Sequence, residues 1–383
     1  MSVNTTRSSE NPIRVMVVDD SAVVRGLITR MLEAESDISV VSSVGNGKMA
    51  VDSLARNEIE VVVLDIEMPV MDGLTALPLM MQTDKSVRVI MASTLTARNA
   101  DISLRALQAG AVDYIPKPSS SRELSGGQDF GKELVEKVRI HGDARRKLKG
   151  APSGATVSKP RGIAPRSTLA TGASAAKSKE IVLRTPSLKE RPDIVAIGSS
   201  TGGPQALFKV LKGMFGKVKQ PIVITQHMPA TFTKILAEHI NRMTGWTCQE
   251  AADGVVIEPG QVYLAPGDYH MTVQTEGVKK VIRLNQDAPE NFCRPAVDPM
   301  LRSVVAAYGR KVLTVILTGM GSDGLKGGRI VVENGGDLIA QDEASSVVWG
   351  MPGAVAQAGI CSAVLPLDDI SSYVVKTAAG GAS

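Results

Sequence analysis

Short apolar runs alternate with amphipathic stretches along the first third of the chain. Residues 13–18, 38–44, 61–64, 87–91 and 111–115 are dense in Val, Ile and Leu and predict strands. Between them, 22–33 carries Val23, Val24, Leu27, Met31 and Leu32 at helical spacing, and 49–55 predicts a second helix. Near-continuous apolar strands separated by helices imply a parallel sheet buried on both faces. Five such units suit the flavodoxin-like doubly wound order, whose ligand crevice lies at the carboxyl ends of the strands.

The same alternation resumes at Asp193, with buried strands predicted at 194–198, 222–225 and 312–318. From 246 to 292 the strands shorten and Pro259-Gly260 and Pro266-Gly267 mark turns. That pattern predicts a Rossmann-like, doubly wound, mostly parallel sheet with an antiparallel edge. A charged helix at 133–149 separates the halves, followed to about residue 190 by a Ser/Ala/Gly/Pro/Lys-rich segment. Its apolar positions are too sparse for a core, and it reads as a flexible linker.

Composition changes this picture in three ways. A length of 383 residues suits two domains, and an aromatic content of 3% leaves the cores to Val, Ile, Leu, Met and Ala. The net charge of +4 conceals twelve Lys/Arg against three Asp/Glu between Asp143 and Arg191. That stretch has no aromatic residue to stack on a base, so it reads as a solvated linker and no nucleic-acid partner is expected. Cys248, Cys293 and Cys361 form no CxxC pair, which fits a reducing compartment. The N-terminal residues lack an apolar core and no apolar run approaches ~18 residues, so a cytoplasmic protein, not embedded in a membrane, is expected.

Candidate chemistry collects at strand ends. Asp19 and Asp20 follow the first predicted strand and Asp65 ends the third. In a doubly wound sheet strands one and three are neighbours, so three carboxylates converge and cannot all stay ionised without compensation. A hard divalent cation such as Mg²⁺ resolves the conflict. Ser93 and Lys117, at the ends of strands four and five, reach the same rim. This constellation suits phosphoryl transfer to a carboxylate, with Lys117 neutralising phosphoryl oxygens and Ser93 bonding the new group.

In the second half, the strand at 194–198 ends in Gly198-Ser199-Ser200-Thr201-Gly202-Gly203. Such a turn serves either as a phosphate cradle or as an elbow exposing a nucleophilic serine. Gly198-x-Ser200-x-Gly202 satisfies the elbow and neither GxGxxG nor a P-loop. The chain has four histidines. His141 lies at the linker edge, His239 in a helical run where a surface position is the default, and His270 in a middle loop. His227 follows the strand at 222–225 and is the favoured base. Asp323, in the Gly-rich turn after 312–318, reaches the same sheet edge, where backbone N–H groups could serve an oxyanion. A receiver-type regulator of nucleic-acid binding and a nucleotide-binding enzyme are the competing readings. The first lacks a helix-turn-helix pattern, and the second lacks a ribose-binding acid and a P-loop lysine.

The strings VMVVDDS, LDIEMPVMDG, ASTL and YIPKP resemble the response-regulator receiver pattern over 12–135. That resemblance implies Asp65 as phosphoacceptor and Asp19, Asp20 and a Glu67 carbonyl as Mg²⁺ ligands. It also implies Ser93 and Lys117 as switch residues, with a cis turn at Pro118. AIGSSTGGP, ITQHMPATFT, VYLAPGDYHM, RPAVDPML, ILTGMGSDG and MPGAVA resemble the CheB family of protein-glutamate methylesterases. The catalytic domain then spans 192–383, with a basic linker over 136–191. The resemblance implies Ser200 as nucleophile, His227 as base and Asp323 as orienting acid, assisted by Thr201 and the Met320 N–H. It further implies glutamine deamidation, chemoreceptor substrates, a CheA-type histidine kinase as phosphodonor, and a receiver docked over the active-site mouth. Ser199 and Pro204 depart from the family pattern, where Ala and a bulkier or polar residue are commoner; Ser199 leaves a second hydroxyl beside Ser200.

Overall fold

Every apolar run of the first segment forms a strand: β1 (Ile13–Val18), β2 (Ile38–Val44), β3 (Val61–Asp65), β4 (Arg88–Thr94) and β5 (Asp113–Lys117). The computed structural model describes residues 11–94, 96–117, 128–150, 181–187 and 190–380. The strands pair in parallel in the order β2-β1-β3-β4-β5. Helices α1 (Ala22–Glu33), α2 (Gly47–Arg56), α3 (Gly73–Thr83), α4 (Ala97–Gln108) and α5 (Gln128–Gly150) connect and flank them. Ser21, Asn46, Asp72 and Thr96 cap the first four by accepting from a backbone N–H three residues on. Gly73 opens α3 because a Cβ there would lie 2.1 Å from the Asp65 carbonyl oxygen.

Helix α5 contains the charged helix expected over 133–149 and so takes up the first part of the 136–191 stretch. Leu134 and Val138 are buried on the sheet, and the same face continues in polar residues, His141 and Arg145. Both are paired: His141 Nε2 lies 3.1 Å from Asp113 Oδ2, and Arg145 donates to Asp84 Oδ2 at 2.8 Å. Most of the 136–191 stretch, and Pro118, lie outside the described residues. Arg184, which is described, is tied to Asp337 at 3.0 Å.

The second half holds β6 (Ile194–Ser199), β7 (Ile222–Gln226), β8 (Thr247–Glu250), β9 (Gln261–Leu264), β12 (Val312–Ile316), β13 (Asp337–Gln341) and β14 (Ala363–Leu365) in one parallel sheet. Its order is β14-β13-β12-β6-β7-β9-β8. The chain leaves β6 toward β7 and later returns to its other side as β12, so β6 is the switch point where a crevice opens. The antiparallel pair announced by the Pro-Gly turns is β10 (His270–Glu276) and β11 (Lys279–Asn285), a separate ribbon instead of the sheet's edge. Helices α6 (Gly203–Met214), α7 (Ala230–Thr244), α8 (Val297–Tyr308), α9 (Leu325–Glu333), α10 (Met351–Gln357) and α11 (Leu367–Ala378) cover the faces.

The two halves pack together along α4 and α7. Tyr114 stacks on Phe232 with ring centroids 4.5 Å apart, and Gln205 donates to the Ala111 carbonyl at 3.2 Å. His239 is fully buried, against the surface position expected for it. Its Nε2 lies 2.7 Å from Asp101 Oδ1 and its Nδ1 is 3.1 Å from Gln108 Nε2. The N-terminal domain covers the face of α7 that its own sequence presents as polar.

Candidate active site

The N-terminal crevice is built as the strand ends predict. Asp19, Asp20 and Asp65 offer carboxylate oxygens within 4.8 Å of one another. Lys117 Nζ lies 2.5 Å from Asp19 Oδ2 and 2.6 Å from Asp65 Oδ1. Burial, aided by the Asp19 charge and opposed by Lys117, raises the Asp65 carboxyl to about 6. Asp65 Oδ1 also accepts from the Ile66 N–H, while Oδ2 has no hydrogen-bond partner among the described residues. Three carboxylates against one ammonium leave negative charge and spare oxygens, the donor set that suits a hard divalent cation. The Glu67 carbonyl accepts no backbone bond among the described residues, and its side chain is exposed. Ser93 is buried and its hydroxyl pairs with Ser103 Oγ at 3.1 Å, so in this state it faces α4.

The second site lies at the carboxyl ends of three adjacent strands. Ser200 follows β6, His227 follows β7 and Asp323 follows β12. The Ser200 N–H donates to the Thr318 carbonyl at 3.0 Å and the His227 N–H to the Ser199 carbonyl at 3.1 Å, which locks the three turns together. Gly319 permits the approach: a Cβ there would lie 2.8 Å from Ser200 Cβ and 2.4 Å from Met351 Sδ. Gly202 takes φ +75°, closing the tight turn that presents Ser200. The Thr201 and Met320 N–H groups have no protein acceptor among the described residues, as oxyanion donors require.

His227 Nε2 lies 2.7 Å from Asp323 Oδ2. The opposite nitrogen, Nδ1, is 3.4 Å from Cys293 Sγ. No hydrogen bond joins Ser200 Oγ to the ring in this state, so Nδ1 is the position from which a proton could be exchanged. Burial disfavours the charged ring, but Asp323 and Cys293 outweigh it and raise His227 to about 10. Ser199 is fully buried and donates to Gln226 Oε1 at 2.7 Å. Its hydroxyl is therefore committed, and the second-hydroxyl concern falls away. His270 is also fixed: Nδ1 accepts from the Ala296 N–H at 3.2 Å, and Nε2 reaches the Ala288 carbonyl at 3.2 Å.

Family models match two parts of the chain: "Response regulator receiver domain" over residues 15–126 and "CheB methylesterase" over 195–374. The protein-glutamate methylesterase/protein-glutamine glutaminase 1 of Paramagnetospirillum magneticum is 61% identical, covering 99% of this chain and 100% of that one. The protein of the same name from Rhodospirillum rubrum is 60% identical over 98% of this chain and 97% of its own length. The chain belongs to the CheB family. The crystal structure of the Thermotoga maritima CheB methylesterase catalytic domain is 41% identical, covering 48% of this chain and 98% of that one, with a TM-score of 0.47.

The chain surrounds Asp323 with partners that strand-end reasoning missed. Asp323 Oδ2 accepts from the Val297 N–H at 2.6 Å, and Oδ1 from Asp298 N, Gly324 N and Asn291 Nδ2 at 2.9–3.0 Å. The first two donors open α8, so its helix dipole faces the carboxylate. Asp298 returns the arrangement, accepting from Gly324 N and Gly327 N at the start of α9 and from Asn291 Nδ2. Each helix thus caps its N-terminus with the other's aspartate. Burial works against the Asp323 anion, but His227 and the α8 N–H groups hold its carboxyl below the ordinary range. Burial and the Asp323 charge push Asp298 upward. The one sequence signal for Asp298 was its place before Pro299 at a helix start.

Proposed function

We propose that this chain is a phosphorylation-controlled protein-glutamate methylesterase that also deamidates glutamine. The observation that carries the reading is the meeting of Ser200, His227–Asp323 and two N–H groups, unpaired among the described residues, at the sheet's switch point. His227 Nδ1 takes the proton of Ser200 Oγ as that oxygen attacks the γ-ester carbonyl of a methylated glutamyl side chain. The Thr201 and Met320 N–H groups receive the oxyanion, and Asp323 holds the imidazolium. The ester C–O bond breaks, and methanol leaves with the proton from His227. Water, deprotonated by the same ring, releases glutamate and restores Ser200. A primary amide follows the same course with ammonia as leaving group.

The substrates on this reading are glutamyl side chains on the cytoplasmic helices of chemoreceptors, which places the enzyme in the cytoplasm. Among the described residues no helix is long and apolar enough to cross a membrane. Asp65 receives the phosphoryl group from a CheA-type histidine kinase on Oδ2, which has no hydrogen-bond partner among the described residues. Asp19, Asp20, Asp65 and the Glu67 carbonyl would hold Mg²⁺, which neutralises phosphoryl oxygens when bound. Lys117 then exchanges its contact with Asp65 for the phosphoryl group, and Ser93 turns from Ser103 toward it.

The receiver packs against α6 and α7, the helices that leave the Ser200 and His227 turns. Phosphorylation needs to bias that interface by only a few kcal/mol to change activity strongly. Methanol release from a methylated receptor fragment, with and without a small-molecule phosphodonor, tests the reading. Wild type should be stimulated, and Asp65→Asn should keep basal activity without stimulation. Stimulation of Asp65→Asn would remove Asp65 from the account.

A further inference from the structure

Residues 290–293 form a tight turn in which Glu290 and Cys293 exchange backbone hydrogen bonds at 3.2 and 2.9 Å. The central residues, Asn291 and Phe292, have φ +52° and +63°. Two consecutive positive φ values define a type I′ turn, whose second central position is ordinarily glycine. Here it carries Phe292, strained where an L side chain is disfavoured. The ring gains nothing from the described residues in return, because Phe292 is fully exposed. Of the other exposed aromatics, Phe215 packs edge-on against Trp246 and Tyr269 is mostly covered.

The turn is rigidly set against the catalytic groups. Asn291 Nδ2 bridges Asp323 and Asp298, and Cys293 Sγ touches His227 Nδ1. Arg294, the next residue, accepts through its carbonyl from the Asp268 N–H at 3.2 Å, beside Tyr269. An aromatic side chain displayed at the rim of a serine site contacts what extends beyond the reacting ester. Resting on the methylesterase reading, we infer that Phe292 is a specificity-determining residue that docks the apolar surface of the substrate polypeptide next to the methylated glutamate. A rigid aromatic loses little conformational entropy on docking and buries a large area.

The test compares two substrates in the full-length chain: a methylated receptor fragment and N-acetyl-glutamate γ-methyl ester, which has no polypeptide to dock. Phe292→Ala should lower the ratio of kcat/KM for the fragment to that for the small ester by about fivefold or more, mainly through KM. Phe292→Gly should lower the ratio equally while raising Tm, since glycine relieves the left-handed conformation. Phe292→Trp should restore the ratio. A ratio within twofold of wild type in Phe292→Ala, with wild type active on both substrates, would overturn the role of Phe292 alone. A wild-type chain that hydrolyses neither ester would overturn the methylesterase reading and this inference together.

Discussion

The chain contains two clusters of aspartates, buried but for Asp20, and they are compensated in opposite ways. At the receiver crevice Asp19 and Asp65 share one lysine beside Asp20, and Asp65 keeps an oxygen without a partner among the described residues. At the hydrolytic site Asp298 and Asp323 are saturated by backbone N–H groups of two helix starts, by Asn291 and by His227. An under-compensated cluster is costly at rest and gains from any incoming positive charge or covalent neutralisation. A saturated cluster has nothing further to gain and holds its geometry. The first arrangement suits a switch, and the second suits a scaffold that must keep an imidazole in one orientation.

The sharpest way to break this comparison is to neutralise one member of each cluster. Asp323→Asn should lower kcat on the order of 10⁴-fold, because the amide misdirects the His227 tautomer. Asp65→Asn should leave unstimulated turnover within a few-fold of wild type. Comparable losses in both variants, measured by methanol release, would mean that the clusters do not divide switching from catalysis.

A stability test separates them further. Asp298→Ala orphans the Gly327 N–H in a buried turn, while the Gly324 N–H keeps Asp323 Oδ1, and should cost about 2 kcal/mol in urea unfolding. Asp65→Asn should do the reverse. The Asp65 carboxyl is raised from 3.8 to about 6 on folding, so the folded chain holds its proton more tightly and stability falls as pH rises through that window. Replacing it should therefore stabilise the chain by about 2 kcal/mol at pH 7.5, with the gain fading below pH ~4. A gain that persists at low pH would point to packing instead of charge.

The smallest effect concerns Cys293. Its sulfur helps raise His227, and a base must be neutral to accept a proton. Cys293→Ala should move the acidic limb of the kcat/KM–pH profile to lower pH without abolishing turnover. An unmoved limb would show that Asp323 alone sets the ring's proton affinity.

Legibility followed the regular elements. Asp65, Lys117, Ser200, His227 and Asp323 stand at the ends of apolar parallel strands, where period and topology fix direction, and the sequence brings them to two rims. Asn291, Phe292 and Cys293 come from the irregular stretch between β11 and α8, whose path depends on packing against distant helix starts. Asp298 escaped the sequence reading because its donors lie 26 and 29 residues away. His239 was misjudged since its burial arises from the other domain. Ser199 shows the finer limit: two neighbouring serines in one turn are told apart only by which hydroxyl is already bonded.

That distinction gives the most direct test of the central claim. Methanol release from a methylated receptor fragment should be abolished in Ser200→Ala and largely retained in Ser199→Ala, which loses only the bond to Gln226. Substantial turnover by Ser200→Ala, or its loss in a folded Ser199→Ala, would contradict the assignment of Ser200 as the nucleophile.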